Sequence, residues 1–453
     1  MNRIQIDFAG QAGKLKPLHG VCNGPLCKQG TVDLTKSYRE IGVPSVRLHD
    51  TDGANSRYYV DVSRIFPNFD ADEYDPKNYF FIRTDRLITA IHNLGAEVVY
   101  RLGESIDHEQ DTRYTTPPAD YDKWCRICIQ IIKHYNEGWA DGFFYDIRYW
   151  EIWNEAEGIN EHGIRCNWHD GTDDGWKELY KTAVRALKTY NPDLKIGGMA
   201  FCGLDEGARS FVKFCRENNL PLDFFSYHGY CNAVEWVTKP AWEARKLLDE
   251  NGYPDAEILF NEWNYIGFER PVDGNVWWLI RNDETPELRA EVHTNQRNEV
   301  GGSFCGAALI AMHDTPITFA NYYDAQCVSN WCGMFDSYSI PQKPFYAFKA
   351  YNALYRNCDH AVPSGVDGEG LYCLAASGEK ERHILLASFR GSGDYVEIDM
   401  QNLGEGRKKA EVYILDKEHN LTLDRVEYYT GDRVLQILRP ARYAVCWIRI
   451  TNE

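Results

Sequence analysis

Residues 149–158 read Tyr-Trp-Glu-Ile-Trp-Asn-Glu-Ala-Glu-Gly, YWEIWNEAEG, a strand that ought to be buried and yet carries carboxylates. A strand covered on both faces is apolar and β-branched. Tyr149, Trp150, Ile152 and Trp153 fit that description, whereas Glu151, Asn154 and Glu155 do not. Carboxylates are almost never fully buried unless paired, so this strand runs out into something polar. Residues 258–265, ILFNEWNY, repeat the pattern with an apolar run followed by Asn261, Glu262 and Trp263.

Outward from these two stretches, short apolar runs alternate with helical periodicity from about residue 18 to about residue 355, as a parallel α/β sheet requires. The expected strands are 19–23, 43–49, 96–103, 147–154, 194–200, 222–228, 256–261 and 317–323. Between them, residues 119–136 place Trp124, Ile127, Cys128, Ile131, Ile132 and Tyr135 on one face at steps of three and four. Residues 175–190 do the same with Trp176, Leu179, Tyr180, Ala183, Leu187 and Tyr190, and stop at Asn191-Pro192. A helix over 84–94 ends at Gly95, and residues 288–312 read as one long helix containing Gly301 and Gly302. Eight such βα units predict a (β/α)8 TIM barrel over residues 18–355.

After the helix at about 344–355 the character changes. Short runs such as LYCLAAS, RHILLASF, YVEIDM and YAVCWIRI, separated by turn residues, predict a β-sandwich over 356–453. RIQIDF at 3–8 alternates like a half-buried strand but precedes the barrel. A lone strand is unstable, so residues 1–17 are expected to pack with the sandwich.

The 453 residues are 44% hydrophobic and 26% charged, the balance of an ordinary soluble globular protein. The 13 Trp and 29 Tyr serve core packing or form flat platforms for sugar rings. A net charge of −18 argues against nucleic acid, which needs clustered Lys and Arg. No run of about 18 apolar residues spans a membrane, and the N-terminal MNRIQIDFAGQAGKLK lacks the apolar core of a signal peptide. The 14 cysteines form no disulfide framework, and Cys125 and Cys128 sit in a helical pattern without a second metal-binding pair. Buried thiols in a reducing, cytoplasmic compartment are the expectation.

In a (β/α)8 barrel, polar residues at the C-terminal strand ends face the active site. Strand two ends in Arg47, His49 and Asp50, and strand three in Arg101 and Glu104. Strand four supplies Asn154 and Glu155, strand six His228 and Tyr230, strand seven Asn261 and Glu262, and strand eight Tyr323 and Asp324. A polar residue at one strand end is ordinary loop chemistry. Two glutamates on strands four and seven, which face each other across a barrel, are a stronger coincidence. Glycoside hydrolysis requires such a pair: an acid for the leaving oxygen, and a base or nucleophile at the anomeric carbon.

WNEAEG with Glu155 and NEW with Glu262 resemble the retaining glycosidases of clan A. The wider context, HGVCNGP, VRLHD, HYNEGWADGF, YWEIWNE, FFSYHGY and NEWN, is similar to glycoside hydrolase family 39, which includes β-xylosidases and α-L-iduronidases. The resemblance covers the barrel, and an appended β-sandwich fits it too. It implies Glu155 as acid/base and Glu262 as nucleophile. Ala156 departs from the family, which usually has Pro after the acid/base.

Glu262 must be ionised to attack, and Arg47 and Tyr230 are candidates to keep it so. Arg47 has an alternative partner in Glu151, whose strand parity points into the barrel. Glu155 must start protonated, which a neighbouring carboxylate and partial burial both favour. Asn154 is expected to donate to the sugar 2-hydroxyl. His49 and His228 are hydroxyl binders or satisfied structural histidines. Trp263 and Trp331 are sugar platforms or packing, while Asp50, Tyr323 and Asp324 complete the substrate-binding set. No metal or cofactor is expected: His162, Cys166 and His169 are close in sequence but lack a convincing fourth ligand. The resulting reading is a retaining exo-glycosidase acting on β-xylosides of an oligosaccharide or small glycoside. Alternatives are α-L-arabinopyranosidase, β-galactosidase or α-L-iduronidase activity, and, from another class, an inactive carbohydrate-binding barrel. The resemblance is compatible with a homo-oligomer.

Overall fold

The computed structural model describes residues 2–28, 30–51, 60–106, 115–159, 165, 167–169, 171–172, 174–281, 284–327 and 332–453, residue 281 for its backbone only. Eight parallel strands close into a barrel. In chain order they are Gly20–Cys22, Ser45–Leu48, Glu97–Leu102, Tyr149–Ile152, Lys195–Phe201, Phe224–Cys231, Glu257–Tyr265 and Ile317–Tyr322. Every expected strand is present, and those at positions six and seven run three and four residues further than their apolar runs suggest.

Val99, Tyr149, Phe224 and Leu259, with Phe319, fill the lower barrel interior. The outward-facing neighbours Trp150, Ile152, Ile258 and Phe260 join the large core beneath the surrounding helices. Tyr121–Asn136 begins at Asp120, whose carboxylate accepts the Lys123 N–H at 2.9 Å and so caps the helix.

The long helix expected over 288–312 is in fact two, Pro286–Arg297 and Glu299–His313. Between them Asn298 is extended, and its side chain accepts the Val300 N–H at 2.9 Å, opening a new helix where periodicity alone sees continuity. Gly301 permits the break, since a Cβ there would meet the Gln296 carbonyl oxygen at 2.1 Å.

The C-terminal module has a four-stranded and a six-stranded sheet around a shared core. The N-terminal strand Asn2–Asp7 lies inside the smaller sheet, antiparallel to Ser364–Asp367 and parallel to Val396–Gln401. Ile4, Ile6 and Phe8 enter the sandwich core beside Val396, Ile398 and Met400. The larger sheet rests on Glu299–His313, where a Cβ at Gly306 would meet Val445 at 2.7 Å. One long strand, Asn420–Thr430, escaped the sequence reading. It is a sheet edge, exposed along most of its length, and so carries no buried face to create an apolar alternation.

Because Ile4 and Ile6 are 0% and 1% exposed, Ile4→Ala and Ile6→Ala are each expected to cost about 2–5 kcal/mol. Gln5→Ala, on the solvent side of the same strand, is expected to stay within about 0.5 kcal/mol. Denaturant midpoints of the three variants check this.

Candidate active site

The side chains at the mouth of the barrel are aimed by two departures from regular strand geometry. In strand four, alternation puts Tyr149 and Glu151 inside, and Trp153 would follow. Trp153 instead takes φ +61° and packs outward, 5.1 Å from Trp168. The chain then returns Asn154 and Glu155 to the interior, with Glu155 also left-handed at φ +46° and its N–H donating to strand five. Non-glycine residues with positive φ are uncommon, and here they redirect consecutive side chains. In strand seven the register against strand six skips Asn261: Phe260 pairs Tyr227, and Glu262 pairs His228. This bulge turns both Asn261 and Glu262 inward, where strict alternation would admit one. Trp263 is thereby sent outward, fully buried among Phe260, Phe304, Tyr322 and Phe348. It therefore presents no face to a sugar, correcting the sequence expectation.

Arg47 is the hub. Its guanidinium, without solvent exposure, donates to Glu151 Oε2 at 2.8 Å, Glu262 Oε2 at 2.9 Å and Asn154 Oδ1 at 2.7 Å. Both partners proposed from sequence are thus engaged together. Burial works against the Arg47 charge, but Glu151 and Glu262 outweigh it and hold the group above its ordinary value. Glu151 Oε1 in turn accepts from Ser226 at 2.6 Å and Asn261 at 2.5 Å.

The two glutamates meet across this hub. Tyr230 donates its hydroxyl to Glu262 Oε1 at 2.5 Å. His228 stands between the carboxylates, with Nδ1 2.6 Å from Glu155 Oε1 and Nε2 3.6 Å from Glu262 Oε2. A carboxylate oxygen from each glutamate and a ring nitrogen of His228 all lie within 4.8 Å of one another. The set has the composition of a metal site, yet Arg47 already supplies positive charge to Glu262, which disfavours a cation there. Burial pushes Glu262 above its ordinary 4.5; His228 opposes, Glu155 adds to the rise, and Arg47 and Tyr230 oppose.

Asn167 donates to Glu155 Oε2 at 3.2 Å, and its carbonyl accepts the Trp153 indole N–H at 2.6 Å. It lies in a loop without periodicity, so nothing in the sequence marked it. Asn154 Nδ2 is buried with no hydrogen-bond partner among the described residues, as are both ring nitrogens of His49. Burial holds the His49 imidazole well below its ordinary value, hence neutral. Asp50 is buried next to it, 3.5 Å from Nε2. Asp324 accepts from Asn23 at 3.4 Å and is pushed by burial up to about 7. Tyr323 packs near Tyr230, ring centroids 6.5 Å apart. Arg101 and Glu104 turn to other partners, Asp61 at 2.5 Å and Ser63 at 2.5 Å respectively. Trp331, His162 and Cys166 lie outside the described residues.

Comparison with known proteins adds to this geometry. The sequence profile described as glycosyl hydrolases family 39 matches residues 3–251, a span that holds Glu155 and stops short of Glu262. A beta-xylosidase of Geobacillus stearothermophilus is 28% identical over an aligned length of 281, covering 56% of this chain and 51% of that protein. The match thus spans about half the length of that relative. A beta-xylosidase of Caldicellulosiruptor saccharolyticus is 24% identical over 473 residues, covering 95% of this chain and 86% of its own. A solved structure of a glucosidase from Croceicoccus marinus superposes with a TM-score of 0.80 at 21% identity, over 100% of this chain and 99% of that one. At this identity the likeness concerns the fold.

Removing the hub cation leaves Glu151 buried without its counter-charge. Arg47→Met is expected to cost about 3–5 kcal/mol, read as a lower denaturant midpoint. Stability should also depend on pH with a defined sign. Burial raises Glu104 and Glu157 to about 8 from 4.5, and Asp324 to about 7 from 3.8. Each binds its proton more tightly in the folded chain, so unfolding between those values releases protons. Their contribution is complete below the ordinary values and is lost as pH rises through 7 to 8. Melting temperatures taken from pH 5 to 9 should fall across that window.

Proposed function

Since the chain belongs to the glycosyl hydrolases of family 39, we propose that it is a retaining exo-glycosidase hydrolysing terminal β-xylosides by double displacement. One observation carries the reading: one carboxylate oxygen of Glu155 and one of Glu262 lie within 4.8 Å of each other. Oxygens that close suit a retaining pair, whose carboxyl groups stand about 5–5.5 Å apart, better than the about 6.5–9.5 Å that admits an inverting enzyme's water.

In the first step a Glu262 oxygen attacks the anomeric carbon as the bond to the leaving oxygen breaks, and Glu155 gives that oxygen its proton. Arg47 and Tyr230 stabilise the anionic nucleophile against its burial, and Arg47 also fixes Asn154 by its Oδ1. The Asn154 Nδ2 left without a partner is then available to the sugar 2-hydroxyl, where bonds strengthen in the transition state. Attachment of the sugar cancels the Glu262 charge. Glu155, now ionised, takes a proton from water whose oxygen attacks the same carbon, and Glu262 is released. His228 contacts both carboxylates and keeps them in register through both steps. The neutral His49 ring and Asp324 are assigned to the remaining hydroxyls.

Two relatives named beta-xylosidases support the choice of sugar. The thirteen described cysteines are free thiols, which supports a reducing, cytoplasmic setting.

Azide separates the two glutamate roles. Glu155→Ala is expected to keep activity on aryl glycosides with good leaving groups and to be rescued by azide. The product should be the glycosyl azide of the substrate's own anomeric configuration, formed on the Glu262-bound sugar. Glu262→Ala should give only the opposite anomer. Proton NMR of the adducts decides, and inversion by the wild-type protein would end the retaining assignment. Absence of turnover on a nitrophenyl-glycoside panel would favour the inactive binding barrel.

A further inference from the structure

Beyond strand seven, Glu269 collects three donors from two parts of the chain. Arg390, next after the sandwich strand Glu381–Phe389, binds it in bidentate fashion at 3.0 and 2.7 Å. Tyr443, at the start of the sandwich strand Tyr443–Asn452, donates to Glu269 Oε2. Tyr265, the last residue of the nucleophile strand, donates to Oε1 at 2.5 Å. Bidentate guanidinium–carboxylate pairs are the geometrically specific kind, and this one is shielded: the Glu269 side chain is 19% exposed. Aromatic contacts close the seam, with Tyr265 and Phe304 both edge-on to Phe389.

The segment so anchored returns to the active site. Ile266 and Phe268, between Tyr265 and Glu269, pack with Val276, Trp277, Ile280 and Val292. Asn275 accepts the Trp277 N–H at 2.9 Å. The Trp277 ring stands edge-on to Tyr230, 5.1 Å between centroids at 85°, and Tyr230 donates to Glu262.

We infer that the C-terminal sandwich positions the hydrogen-bond donor of the nucleophile: Arg390 clamps Glu269, Glu269 fixes the segment that packs Trp277 against Tyr230, and Tyr230 is thereby held on Glu262. Arg390 and Glu269 are positioning residues, acting only through others. The inference rests on the glycosidase reading only in calling Glu262 the nucleophile.

The test reads Glu262 itself. With glutamate labelled by carbon-13 at the side-chain carboxyl, the Glu262 signal is assigned by its loss in Glu262→Gln, and its midpoint is followed by NMR titration. A bond to the ionised form lowers a carboxyl pKa, so Arg390→Met and Glu269→Gln are expected to raise the midpoint by about half a unit. Arg390→Lys should restore part of the shift. In a Tyr230→Phe background neither substitution should add anything, because the donor they position is already gone. Glu269→Gln keeps the side-chain volume and serves if Arg390→Met does not fold. An unchanged midpoint in a folded variant, or shifts that add to that of Tyr230→Phe, overturns the inference. Aryl β-xyloside turnover, measured alongside, should show reduced kcat with little change in KM. A wild-type protein without turnover would overturn the glycosidase reading, while the titration still judges the clamp.

Discussion

A guanidinium without water must be surrounded by acceptors, since an uncompensated buried charge costs several kcal/mol. Arg47 meets that demand with Glu151, Asn154 and Glu262, drawn from strands four and seven. The polar interior follows from this. Glu151 needs Ser226 and Asn261 to occupy its second oxygen, and their positions on strands six and seven fix how those strands are seated. One cation thus holds both Asn154 and Glu262, while Glu155 rests on His228 and Asn167. Glu262 is paired with a guanidinium, whereas the contacts to Glu155 come from a ring nitrogen and a side-chain amide.

Regular strands cannot present this set. A pleated strand shows every second side chain to one face, yet Asn154 with Glu155 and Asn261 with Glu262 are adjacent pairs. The left-handed Trp153 and Glu155 and the bulge at Asn261 solve the same problem by different means. Such features have an energetic cost that the surroundings must offset. Here the offset is visible, because each outward-turned tryptophan, Trp153 and Trp263, is completely packed.

Much of this was legible in the sequence. Eight apolar runs sufficed for the barrel, and Glu151, Glu155 and Glu262 stood out because carboxylates do not belong in such runs. Local irregularity was not legible. Trp263 stayed open between sugar platform and packing because nothing in NEW announces a bulge that turns it outward. The Asn298 break was hidden because no proline or glycine stands in residues 294–299, TNQRNE, which read as an ordinary polar helix face. Glu269 acts through Arg390 and Tyr443, distant in sequence, and Asn167 through a loop that folds back on Glu155, and neither lies in a pattern that periodicity can mark. Arg47 was readable as a partner of either Glu151 or Glu262, but only three-dimensional placement reveals that its forked head serves both.

The N-terminal strand also constrains how the chain reaches its native state. Asn2 pairs with Val396, and Asp7 with Gln401, so this sheet closes a loop of almost the whole chain. Loop-closure entropy grows slowly with length, but contacts of such high sequence separation form late and slow folding. During synthesis from the N-terminus, residues 2–7 emerge long before their partners. The strand spends that interval with both edges unpaired and with Ile4 and Ile6 uncovered, the kind of exposed edge that invites intermolecular pairing. Its flanks carry Arg3 and Asp7, and its solvent face carries Gln5, which keeps the waiting segment polar on one side. The barrel can gather its own strands in the meantime. The sandwich cannot be completed until the far end of the chain has been made.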